Sequence, residues 1–418
     1  MINLFFISYD YFGVKTYKNE LLTYLKQQTG IKVYCIFPES KEYNEYKKID
    51  KDHISYIHIP FIIRKIETLE KYSARCMDLL TPVIKNKEHV IFHLNNSLHV
   101  KLGLEARKRF GAQLIYTLHF LPNYFSYLEL SNINSGDLKI TGDLLEREIV
   151  QKADQIICVT RFAKKMLTDI FNCPSEKVAA IHNGCSEMIN IPSYPDREKN
   201  IKKELGFREE ERIILFAGQL EKRKGLKYLL NAFNRISIKN QEVRLVIAGD
   251  GDFKETFAYL GSNWGKVTFS GKIPTNELSK LYKIATIGVI PSIFEQCSYV
   301  ALEMMQYGLP MVVSGVPGLS ELFTNKKDAL IVPVYKSAND SVETEIDELQ
   351  LAEAVEMLLN DDVLRQKLGE QARIRWEQYY TAQNMGKATM EEYKKLITKA
   401  KIKKQINQQK EEGQKVNF

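Results

Sequence analysis

Two carboxylates eight positions apart, Glu295 and Glu303, stand in the stretch PSIFEQCSYVALEMMQYGLP. The apolar run VIPS before Glu295 reads as a strand, and YVALEMMQYG reads as a helix that begins near Cys297, Ser298 and Tyr299. The first amides of a helix lack intrahelical acceptors, so they can receive a phosphate. The flanking carboxylates can accept from hydroxyls on either side. A sugar, a diphosphate and a ribose in a row would match that order of groups. Upstream, FAGQLEKRKGLKYLLNAF carries Gly218, Gln219, Arg223 and Lys224 between a strand and a helix. A lysine in such a loop can neutralise a diphosphate, where negative charge grows as the bond to it breaks.

The first half offers a second constellation. His119 stands at the end of the run QLIYTLHF, and His93 and Asn95 at the end of VIFHLN, with Asn96 next. A neutral imidazole can hydrogen-bond a sugar hydroxyl, and a protonated one can stabilise phosphate. The polar, aromatic segment Pro122–Gly142, with Tyr124, reads as a long loop suited to recognising an acceptor. Gly13 follows the leading run INLFFIS, but no GxGxxG accompanies it, which argues against a dinucleotide oxidoreductase.

Short β-rich runs alternate with amphipathic stretches and must position these groups. INLFFIS, KVYCIF, ISYIHIP, VIFHLN, QLIYTLHF, QIICVT and VAAIHNG are strand candidates in the first half. The pattern pauses at EMINIPSYPDREKNIKKELGF and restarts with RIILFAGQL, RLVIAGDG, VTFSGK, TIGVIPS, PMVVSG and ALIVPV. Such alternation predicts two mostly parallel sheets covered by helices. The expected domains are 1–188, a linker 189–205, 206–375, a crossing helix 376–398 and a basic polar tail 399–418.

At 418 residues the chain is long enough for two domains. Six cysteines without a CxxC pair suggest reduced thiols and a cytoplasmic location. INLFFIS is too short to read as a signal peptide or a membrane span. The net charge of +7 is mild and collects in the tail, which reads as a solvated end with a peripheral contact to the inner membrane face as its further implication. Basic residues are not interleaved with aromatics in a compact patch, so nucleic acid is not an expected partner.

The stretch from Pro291 to Glu321 resembles the signature of retaining family 4 glycosyltransferases. The resemblance implies an α/β GT-B fold: two Rossmann-like doubly wound domains facing a cleft, with a C-terminal helix crossing back to the N-terminal domain. It also implies sugar transfer from a nucleotide-diphosphate sugar to an acceptor hydroxyl with retention, in polysaccharide or glycoconjugate biosynthesis. The acceptor would be a glycan, a lipid-linked intermediate, a peptide or a small molecule. No metal and no cofactor are expected. Glu295 would hold the donor sugar, Glu303 the ribose, Lys224 the diphosphate, and His119 the reacting centre. Gly13, Gly218, Gln219, Arg223, Gly249, Gly271, Cys297, Ser298 and Tyr299 would complete the donor site, and His93, Asn95 and Tyr124 would meet the acceptor.

Three positions depart from the pattern of that family. Gln219 replaces its arginine, Ser298 replaces a common glycine, and Gly13 is followed by Val14 instead of a second glycine. Two alternatives stay open: a nucleotide-sugar epimerase of the same fold, and a non-catalytic sugar-nucleotide-binding protein, which Gln219 and Ser298 make thinkable.

Overall fold

Strands buried on both faces need near-continuous apolar runs, and those runs become the strands of two parallel sheets. The computed structural model describes residues 1–8, 10, 12–61, 68–120, 136–188, 196–251, 258–336 and 344–415. Its described residues divide into two units: one built from those up to His182 and from Ala382 onward, the other from those of Asn183–Thr381.

The first unit holds β1 (Ile2–Ile7), β2 (Ile31–Pro38), β3 (Lys47–Lys51), β4 (Ile54–Ile59), β5 (Val90–Leu94), β6 (Gln113–Leu118), β7 (Gln155–Cys158) and β8 (Val178–Ala180). They form one sheet in the order β3-β4-β2-β1-β5-β6-β7-β8. All pairs are parallel except β3 with β4. Strand β3 has the sequence KKIDK, which carries no apolar run. It is legible only as the charged edge that shields a sheet from further pairing.

The second unit holds β9 (Arg212–Ala217), β10 (Val243–Ala248), β11 (Val267–Gly271), β12 (Ile287–Ile290), β13 (Met311–Ser314) and β14 (Leu330–Val332). Their order is β11-β10-β9-β12-β13-β14, and all are parallel. This is the doubly wound order 3-2-1-4-5-6, whose switch point lies between its first and fourth strands, here β9 and β12. A short antiparallel pair, β15 (Val334–Lys336) with β16 (Thr344–Ile346), is added outside the sheet. Both units are thus Rossmann-like.

Three sequence expectations need correction. The segment Pro122–Gly142 is not a loop throughout, because a helix spans Gly136–Lys152. Gly136 and Gly142 obscure its apolar spacing, which Leu138, Leu145 and Ile149 nevertheless carry. Tyr124 lies outside the described residues. The expected crossing helix 376–398 is instead two helices, Asp362–Tyr379 and Ala382–Lys415. The Tyr380 carbonyl accepts from the Cys185 amide at 3.1 Å, and its hydroxyl donates to the Glu321 carbonyl at 3.2 Å. Tertiary contacts therefore draw Tyr380 out of the helical register. The second helix runs on as helix through most of the expected tail. In the chain order, the unit boundary falls between His182 and Asn183, ahead of the expected linker, of which residues 197–204 are helical.

The helix Ala382–Lys415 is part of the first unit, and it enters that unit's core through polar bonds as well as apolar ones. Met385, Met390, Tyr393 and Leu396 are buried. The two ring nitrogens of His93 lie 2.6 Å from the Tyr393 hydroxyl and 2.6 Å from Thr117 Oγ1. Gln155 Nε2 donates to Glu392 at 2.7 Å. Burial is the leading cause that lowers the His93 and His119 imidazoles to about 3 and that of His99 to about 4. The three rings are therefore neutral in the folded protein.

Their folded values lie below the ordinary 6.5, so their contribution to stability is complete above pH 6.5 and is lost as pH falls toward 3–4. Each should contribute a loss of roughly 2 kcal/mol by pH 5. Denaturant unfolding at pH 7.5 and pH 5, with proton uptake measured alongside, should show up to three protons bound on unfolding. Equal stability at both pH values would contradict the assignment.

Candidate functional site

In the second unit the site is built where two loops leave the sheet at its switch point. After β9 comes Gly218–Gly225, and after β12 comes Pro291–Ser298. The Arg223 carbonyl accepts from the Ile293 amide at 2.9 Å, which laces the loops together. Gly225 makes that approach feasible. Its φ is +67°, and a Cβ there would stand 1.8 Å from the Pro291 carbonyl oxygen. Ser314 Oγ, from the end of β13, donates to the Ser292 carbonyl and fixes the second loop from its other side.

This lacing brings together the lysine and the acid expected from sequence. Lys224 Nζ lies 2.5 Å from Glu295 Oε2, with side chains 18% and 9% exposed. The pair is partly withdrawn from water, where charges interact more strongly than on an open surface. Ser292 Oγ reaches the same carboxylate oxygen at 3.5 Å. An ammonium has three donors, so Lys224 keeps two for an anion, while Glu295 keeps Oε1 as an acceptor. Arg223 donates to Glu221 at 2.5 Å, and its Nη2 stands 3.5 Å from Gln219 Oε1. The arginine is thus poised beside the position where sequence comparison expects a permanent charge and finds a glutamine.

Ser298 caps the helix Tyr299–Gln306, accepting from the Ala301 amide at 3.3 Å. Glu303, on that helix, accepts from the Tyr282 hydroxyl at 2.7 Å. Burial first, then the Glu303 charge, push the Tyr282 phenol well above 10, so it remains a donor. Tyr282 and Ser292 were not singled out from sequence, because a tyrosine in an amphipathic helix and a serine after a strand carry no local signal. At Cys297 the expectation concerns the backbone amide, and the side chain packs inward. It is buried, its sulfur accepts from the Asn183 amide at 3.3 Å, and its carbonyl accepts from Asn183 Nδ2 at 2.9 Å. Burial raises its thiol above the ordinary range, so the side chain is a neutral packing element.

The expected glycines serve the edge of the sheet. Gly249 N donates to the Gly271 carbonyl at 2.9 Å, and a Cβ on Gly249 would fall 1.7 Å from the Gly218 carbonyl oxygen. The strand ends of β9, β10 and β11 can therefore close up only around Gly249. Asp250 Oδ1 accepts from the Gly251 amide at 2.9 Å, within its own turn, and Asp252 lies outside the described residues. Among the described residues no group of three or more His, Cys, Asp or Glu is arranged to hold a metal.

In the first unit, the corresponding switch point lies between β1 and β5. Asn95, just past β5, donates from Nδ2 to the Ile7 carbonyl at 3.1 Å. That bond orients its amide so that Oδ1, an acceptor, faces His119 Nε2 at 3.1 Å. The proton of the neutral ring therefore resides on Nε2, and Nδ1 is left as an acceptor. Tyr17 packs edge-on against the ring at 4.7 Å between centroids. His119 can then take a hydrogen bond from a hydroxyl, but the protonated, phosphate-stabilising form expected as an option is disfavoured. Asn95 is a positioning group for His119. His93 is fully buried with both nitrogens engaged, so it is removed from the expected acceptor contacts. Gly13 lies in the first turn of the helix Phe12–Leu25 and not in a tight loop.

Residues 197–375 match the family model of Glycosyl transferases group 1, and residues 12–187 match that of Glycosyltransferase Family 4. An uncharacterized glycosyltransferase of Methanocaldococcus jannaschii is 34% identical over 57% of this chain and 60% of that protein. The chain spans 56–66% of the length of this and three further curated relatives. Sucrose-phosphate synthase from Thermosynechococcus elongatus has a similar structure, with a TM-score of 0.76, 21% identity and coverage of 95% of this chain and 100% of that one. Anabaena Alr3699/HepE in complex with UDP-glucose follows the same fold, with a TM-score of 0.70, 15% identity and coverage of 94% and 100%.

The lacing of the two loops in the second unit is testable apart from any activity. Gly225→Ala must leave the left-handed region or displace the Pro291 carbonyl, and it should cost about 2 kcal/mol or more. Gly265→Ala, where a Cβ meets nothing within 4 Å, is the control. Equal denaturation midpoints for the two variants would show that the loops are not held as described.

Proposed function

The chain belongs to the family 4, group 1 glycosyltransferases, and from that premise we propose that it transfers a sugar from a nucleotide-diphosphate sugar to an acceptor hydroxyl with retention of anomeric configuration. The observation that carries this reading is the Lys224–Glu295 pair at the switch point of a doubly wound sheet, 2.5 Å apart. A cation and an acid held together at that edge offer a grip on a departing diphosphate and an acceptor for a sugar hydroxyl at its near end. Glu303, held by the Tyr282 hydroxyl that donates to it, is in this reading a second acceptor, for a ribose hydroxyl. The capped helix at Tyr299 adds backbone donors for the phosphates.

In this reading the enzyme contributes charge stabilisation and positioning, and the leaving diphosphate takes the proton of the attacking hydroxyl. Lys224 stabilises the charge that develops on the diphosphate. Arg223 supplies the second positive charge that Gln219 does not. In the other unit, neutral His119 accepts from a substrate hydroxyl through Nδ1. The donor site asks for no metal in this scheme. Polysaccharide or glycoconjugate biosynthesis is the role we infer, with a nucleotide sugar as the first substrate and a glycan, lipid-linked, peptide or small-molecule acceptor as the second.

Lys224→Ala should lower turnover by about 10²–10³-fold with unchanged far-UV dichroism. A panel of UDP-, GDP- and ADP-sugars should identify the donor by a rise in melting temperature, since a ligand that binds only the folded state stabilises it. Wild-type turnover in the lysine variant, or no stabilisation by any nucleotide sugar, would defeat the reading.

Relocation of the charge has its own test. Arg223→Ala should weaken binding of the nucleoside diphosphate about tenfold and leave the monophosphate nearly unchanged. Adding Gln219→Arg should recover part of the loss. If the single variant binds both nucleotides like the wild type, Arg223 has no part in holding the diphosphate.

A further inference from the structure

We propose that the basic end of the C-terminal helix docks this protein on an anionic lipid surface. Residues 394–409 contain Lys394, Lys395, Lys399, Lys401, Lys403 and Lys404 and no acidic residue. All six lysines are exposed. Lys399, Lys403 and Lys404 line a groove of about 530 Å³ with Arg107, Leu396 and Asn407. Asp154, the only carboxylate lining that groove among the described residues, is held by Arg107. The groove therefore offers cations without a competing acid. Lys401 and Lys404 also lie near His89, whose imidazole is lowered by burial and then by Lys401, against the opposing Glu88 charge.

Charge alone would suit any polyanion, but the same helix presents apolar side chains to water. Ile402 and Ile406, one turn apart, are 51% and 46% exposed. Lysines surrounding a short aliphatic ridge suit a lipid interface, where ammonium groups meet the headgroups and the isoleucines enter the acyl boundary. A nucleic-acid backbone would have no use for the ridge. Among the described residues no helix is long and apolar enough to cross a membrane, so the contact is superficial. Its place in the unit agrees. Gly111–Gln113 and Asp154 mark the amino ends of β6 and β7, whereas Asn95 and His119 lie at carboxyl ends. A flat anionic surface can be engaged there without covering those residues.

The test is co-sedimentation of the full chain with vesicles of phosphatidylcholine alone and of phosphatidylcholine mixed with phosphatidylglycerol. Binding should require phosphatidylglycerol and weaken with added salt. The pair Lys399→Glu and Lys403→Glu should lower partitioning at least tenfold, and Ile402→Ser with Ile406→Ser should lower it several-fold. All variants should melt with the wild type, because the substituted side chains are exposed. No partitioning, equal partitioning to both vesicles, or wild-type partitioning by the lysine variant would overturn the proposal. So would retention by duplex DNA with none by vesicles.

Discussion

The approach of the Lys224 ammonium to the Glu295 carboxylate is the interaction around which the second unit is arranged. The two residues, 71 positions apart in sequence, come from loops that follow β9 and β12, strands that are neighbours in the sheet. Parallel strands separated by so many residues meet only when the whole doubly wound order is complete. The pair also needs the loops at one height, and that height is set by backbone contacts. Gly225 against Pro291, Ile293 against Arg223 and Ser314 against Ser292 leave little freedom between the two loops. Substituting any of the small residues at these contacts changes where the charges stand before it changes the charges themselves.

The first unit uses the same topology for a different chemistry. An ion pair stands there too, Lys18 with Asp10 at 2.5 Å just past β1, but the bonds that orient His119 are neutral. A chain of neutral hydrogen bonds runs from the Ile7 carbonyl through Asn95 to the ring. Burial keeps the imidazole uncharged, and the amide of Asn95 decides which nitrogen carries the proton. Behind it, His93, Thr117, Tyr17 and Tyr393 join two strands and two helices into one polar cluster. The C-terminal helix is therefore a structural member of this unit, and its residues 401–409 form a charged, exposed segment.

Much of this was legible in the sequence. The apolar runs located thirteen of the strands, because a strand covered on both faces has no polar alternation to confuse it. Lys224 and Glu295 stood out because each lies between such a run and a helix start, and Glu303 because it follows on the second of those helices. What escaped was residue-level detail that depends on distant partners. Tyr282 could not be paired with Glu303, nor Asn183 with Cys297, without the fold. His93 and His119 look alike in sequence, each near the end of an apolar run, yet one is sealed between Tyr393 and Thr117 while the other keeps a nitrogen available.

The sequence by itself determined which segments must be buried, the alternation that makes two parallel sheets, and the residue types gathered at the sheet edges. These follow from local periodicity and side-chain chemistry. Tertiary structure alone decided which nitrogen of His119 bears the proton, that Arg223 reaches the side of Gln219, and that the final helix divides at Tyr380. Each of those depends on atoms brought together from far apart in the chain, and no local pattern encodes a distance between them.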